Sequence, residues 1–99
     1  MDNLGPELQM TRLASSFPCM SSKFEDGSGN GLQPWDASRI AFASRGWSGG
    51  ERLVVSFLLT VWDSEQGYYP AFNPVEAYKK WDFEHWAAFI GWAVNAFYC

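Results

Sequence analysis

The chain has 99 residues, a formal net charge of -4, and an aromatic content of six Trp, four Tyr and eight Phe. This length suits one domain with a single core and excludes an enzyme built from a cofactor domain plus a substrate domain. The chain has seven basic and eleven acidic residues. This balance excludes the strongly basic surface on which non-specific nucleic-acid binding depends.

The N-terminal third of the chain differs in composition from the rest. It contains only two of the aromatic residues and ends in a glycine-rich stretch, residues 25–31, which favours turns or flexible coil. We therefore expect an N-terminal segment, residues 1–34, with a linker at 25–31, followed by a helical domain at residues 35–99. Within the segment, Pro6 favours the first position of a short helix.

Four positions after residue 34 place an aromatic residue directly before a strong helix N-cap residue. Ser, Asp and Asn side chains accept hydrogen bonds from the free N–H groups of a first helical turn. At two positions the signal is stronger: Glu51 follows Ser48 in the capping-box spacing, and Pro74 follows Asn73. The pattern predicts helices at about 37–45, 49–62, 74–80 and 83–97. The aromatic and N-cap pairs are Trp35-Asp36, Trp47-Ser48, Phe72-Asn73 and Trp81-Asp82.

Two of these aromatic residues are spaced to contact the helix that follows them. An apolar side chain just before an N-cap residue can contact the residue five positions later in the sequence. For Trp81 that residue is Trp86, and for Trp35 it is Ile40.

The segment from Gly49 to Trp62 is apolar over most of its length. Its polar residues recur at helical spacing in one narrow stripe, which is typical of a helix buried around most of its circumference. A buried β-strand is the alternative, because the segment is rich in strand-forming residues, and it would make the fold α+β. Length and the capping box favour the helix. We therefore predict an all-α bundle of about four short helices with a less regular N-terminal segment.

The last predicted helix has two different sides. One side is apolar at three- and four-residue steps, and we expect it to face the core. The opposite side carries Ala88, Gly91 and Asn95, where small residues would allow another helix to approach closely. The predicted core side consists of Phe83, Trp86, Ala87, Ile90, Val94 and Phe97.

Few residues carry catalytic chemistry. His85 is the single histidine and lies three residues after Asp82, so the two could touch on one helical turn, but a structural role is the favoured interpretation. Residues 48–51 are glycine-rich at a helix start but lack the Lys and the spacing of a P-loop.

Metal and redox chemistry are not indicated either. Cys19 and Cys99, together with one histidine, do not give a metal site, and their separation is not that of a redox motif. In a reducing compartment we expect two free thiols. The carboxylate pairs at residues 25–26 and at 63 and 65 fall in loop-like, solvated stretches. We expect no metal, no cofactor and no enzymatic activity.

The aromatic residues exceed what a small core requires. Four short helices bury about ten to twelve large side chains against one another, and residues 35–98 supply sixteen aromatics as well as several aliphatics. Exposed aromatics are enriched at the centres of protein interfaces, so the surplus favours a protein partner, including a second copy. The alternative is that these residues cover the core edge or contact the first 34 residues. The candidate partner-binding residues are Tyr68, Tyr69, Phe89, Trp92 and Tyr98.

A set of residues spread over positions 48–97 forms a pattern that is similar to one seen in a known group of proteins. The residues are Ser48, Glu51-Arg52-Leu53, Phe57-Leu58-Leu59, Val61-Trp62-Asp63, Phe72, Glu76-Ala77, Trp81-Asp82, His85, Phe89 and Trp92-Ala93. This pattern resembles small helical accessory proteins of bacteriophages and prophages, and it covers about half the chain. The resemblance implies a protein that counters host defence by occupying a surface of a host complex, as anti-CRISPR proteins do.

We therefore expect a non-enzymatic module that binds a protein stoichiometrically, in the form of a phage-encoded inhibitor of a bacterial defence complex. Its acidity favours a basic partner surface. The alternatives are a self-associating phage structural or assembly protein and, less favoured, a small hydrolase that uses His85. A monomer or a homodimer would favour the inhibitor, whereas a large stable homo-oligomer would favour the assembly protein.

We expect the chain to act in the cytoplasm, which is the host cytoplasm if it is phage-encoded. The first residues include Asp2 and Glu7 and do not form the apolar stretch of a secretory signal. No apolar run reaches the roughly 20 residues that span a membrane.

Overall fold

The structure, a computed structural model, describes residues 5–24, 35–63, 65, 67 and 69–97. Every regular element in these residues is helical, which confirms the all-α fold. The α-helices, in chain order, are α1 (Pro6–Ser15), α2 (Pro18–Phe24), α3 (Ala37–Ala43), α4 (Gly49–Trp62), α5 (Pro74–Lys80) and α6 (Phe83–Val94). A short 3-10 turn, Ser44–Gly46, follows α3.

The four predicted N-caps all form, and they set the starts of α3 to α6. The carboxylate of Asp36 accepts a hydrogen bond from a first-turn N–H at 3.1 Å, and the side-chain oxygen of Asn73 accepts two, at 3.0 and 3.2 Å. Ser48 and Glu51 form the reciprocal capping box, and Asp82 caps α6 at 3.0 Å. The ends of α4 and α5 match the predicted ones, whereas α3 tightens into the 3-10 turn after Ala43 and α6 ends at Val94, three residues before the predicted end.

Helix α4 lies at the centre of the molecule and contacts α1, α3 and α5. The alternative of a buried strand is therefore wrong. Val54, Val55, Leu58 and Leu59 are fully buried, as expected of a helix that is covered on most sides.

The N-terminal segment is more regular than the sequence predicted. The short helix expected at Pro6 is confirmed as α1, and α2 follows it after two residues. Met10, Phe17 and Met20 are fully buried in the same hydrophobic core as α4. The predicted linker at residues 25–31 lies outside the described residues.

The predicted contact between Trp81 and Trp86 is confirmed, with ring centroids 5.3 Å apart in an edge-to-face arrangement. Trp81 also donates a hydrogen bond from its indole Nε1 to the carbonyl oxygen of Gly50, at 2.9 Å. The indole thus ties the junction of α5 and α6 to the first turn of α4. Trp35 and Ile40, which form the second predicted pair, are both buried.

The Phe17→Ala variant tests whether α1 and α2 belong to the same cooperative core as α4. Phe17 packs edge-on against Phe57 at 5.8 Å, so its removal leaves a cavity, and we expect the free energy of unfolding to fall by about 3–5 kcal/mol. Urea unfolding monitored by circular dichroism measures this change.

Phe83→Ala is the matched control, because Phe83 is 83% exposed and its truncation should cost less than about 0.5 kcal/mol. Equal losses in the two variants would contradict the assignment of the N-terminal segment to the core.

Candidate protein-binding surface

The inner face of α6 is set by aromatic residues that pack on α4. Phe89 and Trp92 lie against Phe57, with ring centroids 5.2 and 4.9 Å apart, both edge-to-face. Trp92 also donates a hydrogen bond from Nε1 to the carbonyl oxygen of Phe97 at 3.1 Å. These contacts fix the rotation of α6 about its axis.

The outer face of α6 is apolar and exposed. Phe83 is 83% exposed, Ile90 50% and Val94 81%, and Ala87 between them is exposed as well. The four positions follow one another at steps of four, three and four residues, which is the spacing of a seam that receives another helix. No residue of α6 is fully buried, so this helix contacts the core along one side only.

Residues of α5 extend this surface. Tyr78 is 76% exposed and its ring meets Trp86 edge-to-face at 6.1 Å. Val75, one turn earlier on α5, is also exposed. We call Val75, Tyr78 and the seam residues Phe83, Ala87, Ile90 and Val94 the outer face.

The seam carries little charge. Glu84 is the last charged residue of the chain, and from His85 to the C-terminus the sequence has no Asp, Glu, Lys or Arg. Large apolar side chains without charged residues among them are typical of the centre of an interface, where charge is depleted. Such a surface complements an apolar face of similar size.

The structure corrects the predicted sides of α6 in part. Trp86 and Phe97 pack against the core as expected. Phe83, Ile90 and Val94, also expected in the core, face solvent, whereas Phe89 and Trp92, expected on a partner surface, are half-buried against Phe57. Both sides of the helix are apolar at the same spacing. The periodicity therefore identified the helix without identifying which side the rest of the chain covers.

The other predicted partner-binding residues do not lie on the outer face. Tyr69 is buried, and its hydroxyl shares a hydrogen bond with the Ser44 hydroxyl at 2.8 Å. The expectation that Tyr69 is exposed is therefore wrong. Tyr68 and Tyr98 lie outside the described residues.

Small residues of α6, together with Asn95 directly after the helix, line a groove beside α1. Ala88, Gly91 and Asn95 face this groove, whose volume is about 480 Å³ and whose other wall includes Gln9 and Arg12. A Cβ added at Gly91 would meet no atom within 4 Å. The close approach expected at Gly91 is therefore not present within the described chain.

His85 joins α6 to the N-terminal segment. Its Nδ1 lies 2.7 Å from Asp82 Oδ1, and its Nε2 accepts a hydrogen bond from the backbone N–H of Cys19 at 3.4 Å. A neutral ring with its proton on Nδ1 satisfies both contacts. The hydrogen bonds from the side chain and the backbone N–H of His85 lower the pKa of the Asp82 carboxyl.

The buried thiol of Cys19 is held in its protonated form. Burial is the largest cause that raises its pKa, to about 11, and the nearby Glu51 carboxylate adds to the shift. A thiolate is the reactive species of cysteine, so this environment suppresses its nucleophilicity. Cys19 is unpaired in the structure, as expected, whereas Cys99 lies outside the described residues.

Other predicted features take structural roles or remain undescribed. Within the described ranges, no group of three or more His, Cys, Asp and Glu side chains could hold a metal ion. Ser48 and Glu51 serve the capping box, and Glu51 also lies 3.7 Å from Lys23. Residues 25–26 are outside the described chain.

None of the described helices has the length and apolar character needed to cross a bilayer.

Comparison of this chain with protein-family models, with curated proteins and with solved structures gives no match. The candidate surface therefore depends on the geometry of α5 and α6 alone.

The Asp82→Asn variant tests the contact with His85 while keeping a side chain that caps helices well. Because folding lowers the pKa of Asp82, its charge stabilises the fold above the unfolded pKa of about 3.9. This contribution is lost as the pH falls through the folded value. We expect the variant to be less stable than wild type at pH 7, with the difference closing below about pH 4.

The matched control is Asp36→Asn, since Asp36 caps α3 in the same way without a histidine partner. Thermal unfolding from pH 2 to pH 8 measures both variants. A deficit for Asp82→Asn no larger than that of the control at pH 7 would contradict a stabilising role for the contact.

Proposed function

We propose that the protein is a non-enzymatic binding module whose outer face receives an apolar helix of a protein partner. The observation that carries this proposal is the exposure of Phe83, Ile90 and Val94 at the spacing of a helix-binding seam. Burying one such side chain fully contributes about 1.5–3 kcal/mol. The seam is therefore a substantial source of binding energy.

The chemistry of the partner follows from the seam. An uncharged apolar strip gains most from a partner helix that presents apolar residues at the same steps, with its charged residues on other sides. The net charge of -4 then favours a partner with basic residues around that strip. This refines the expectation of a basic target, because the central contact is apolar and the charges contribute at the rim.

On the resemblance described above, the module is a phage-encoded inhibitor that acts in the host cytoplasm by occupying a surface of a bacterial defence complex. Stoichiometric binding through one helix suits a chain of 99 residues, because it needs no second domain. The alternative is self-association, in which the outer faces of two copies pair. The same seam supports it, since an uncharged apolar strip can face its own copy across a two-fold axis.

Paired capture experiments test the proposal. Ile90→Glu and Val94→Glu each place a charge within the seam, and burial of an unpaired charge is costly. The wild type captures its partner from bacterial lysate, mass spectrometry identifies that partner, and the 1:1 complex is then rebuilt from purified components. We expect each seam variant to bind the purified partner at least tenfold more weakly than the wild type does. We also expect the isolated wild type to be a monomer by light scattering.

Ala71→Glu is the control, because it adds the same charge at an exposed position outside α6 and should leave binding unchanged. A rebuilt complex that tolerates both seam variants would contradict the proposal. A stable homo-oligomer that Ile90→Glu dissociates would replace it with self-association.

A further inference from the structure

A second feature of the surface lies between α3 and α4 and shares no residue with the outer face. It is a pocket of about 520 Å³, a volume within the range of small-ligand sites. The pocket is lined by Ser38, Phe42, Arg45, Arg52, Tyr69 and Pro70, together with Ala41.

Two guanidinium groups are held at this pocket by aromatic rings. The Arg45 guanidinium lies 5.0 Å from the ring centroid of Phe42, and the Arg52 guanidinium lies 6.0 Å from that of Tyr69. Tyr69 is itself fixed, because it is buried and hydrogen-bonded to Ser44. Stacking on a ring reduces the freedom that an arginine side chain must lose on binding a ligand.

Neither guanidinium is neutralised within the described part of the chain. The ion pairs there join Lys23 to Glu51 and His85 to Asp82, and neither involves Arg45 or Arg52. Two positive charges thus face one pocket in a protein whose net charge is -4. Local positive potential on an acidic protein points to a ligand that is itself anionic.

The residues that line the pocket indicate the chemical groups that a ligand would need. Guanidinium groups bind carboxylate and phosphate oxygens in a bidentate manner, and the hydroxyl of Ser38 can donate one further hydrogen bond. Phe42, Ala41 and Pro70 offer apolar contact beside these donors. The complement is an anionic group attached to an apolar or aromatic body.

We propose that this pocket binds a small organic anion, a carboxylate or phosphate carried on an apolar body, with Arg45 and Arg52 as the anion ligands. The ligand enters the open side of the pocket, its anionic group meets the two guanidinium groups, and its apolar body lies against Phe42 and Pro70.

The test is a titration of the isotopically labelled full chain with benzoate, phenyl phosphate, inorganic phosphate and benzamide, followed by amide shifts at low ionic strength. We expect saturable shifts in residues 38–45, at Arg52 and at Tyr69 with the two organic anions. Inorganic phosphate should bind more weakly, because it lacks the apolar body, and neutral benzamide should not bind. The tighter of benzoate and phenyl phosphate identifies the anionic group.

Arg45→Gln and Arg52→Gln should each weaken binding of the better anion roughly tenfold or more, as expected for loss of a charge-assisted contact. Arg12→Gln is the control, because Arg12 lines the groove beside α1 instead. Ser38→Glu, which places a carboxylate beside the two arginines, should block the pocket without disturbing the core, since Ser38 is exposed.

Three results would each overturn the proposal. One is the absence of saturable shifts at the pocket with either organic anion. Another is binding of benzamide as tight as that of benzoate, and the third is an equal loss of affinity in Arg12→Gln and the pocket variants. Binding through the seam of α6 is measured with different residues, so the two proposals fail independently.

Discussion

The ring of Phe57, in the middle of α4, is the contact on which the arrangement of the other helices depends. It packs edge-to-face against Phe17 from the N-terminal segment, Phe72 before α5, and Phe89 and Trp92 on α6, with centroids 4.9 to 5.8 Å apart. Edge-to-face contacts have a preferred geometry in addition to the area they bury. One side chain therefore orients three separate parts of the chain around α4.

The rotation of α6 follows from these contacts. Phe89 and Trp92 pack on Phe57, and His85 accepts a hydrogen bond from the backbone of Cys19. Because these contacts hold one side of α6 against the core, the opposite side faces away from it. The large apolar residues on that side, Phe83, Ile90 and Val94, are at least half exposed, and this exposure has an energetic cost that a partner can remove. The proposed function is thus a consequence of how the core fixes α6. The arginine pocket depends on other contacts, those of Tyr69 with Ser44 and Arg52.

The sequence predicted the features that depend on neighbouring residues and missed those that depend on distant ones. The N-caps of α3 to α6 were identified because Asp36, Ser48, Asn73 and Asp82 act on the turn directly after them. The inner side of α6 was identified only in part, at Trp86 and Phe97. Both sides are apolar at helical spacing, and the choice between them depends on Phe57 and Cys19, which lie far away in the chain. The burial of Tyr69 depends in the same way on Ser44, 25 residues earlier. The pairing of Arg45 and Arg52 around one pocket likewise requires the packing of α3 on α4.

The most direct test of this account measures which side of α6 faces solvent in the monomer. A soluble nitroxide enhances the relaxation of exposed methyl groups, and it can be applied to the methyl-labelled chain at a concentration where light scattering shows one copy. We predict strong enhancement for the methyl groups of Ile90 and Val94 and little for those of Val54 and Leu58, which are fully buried. Protection of Ile90 and Val94 equal to that of Val54 and Leu58 would contradict the orientation of α6 and, with it, the proposed binding surface.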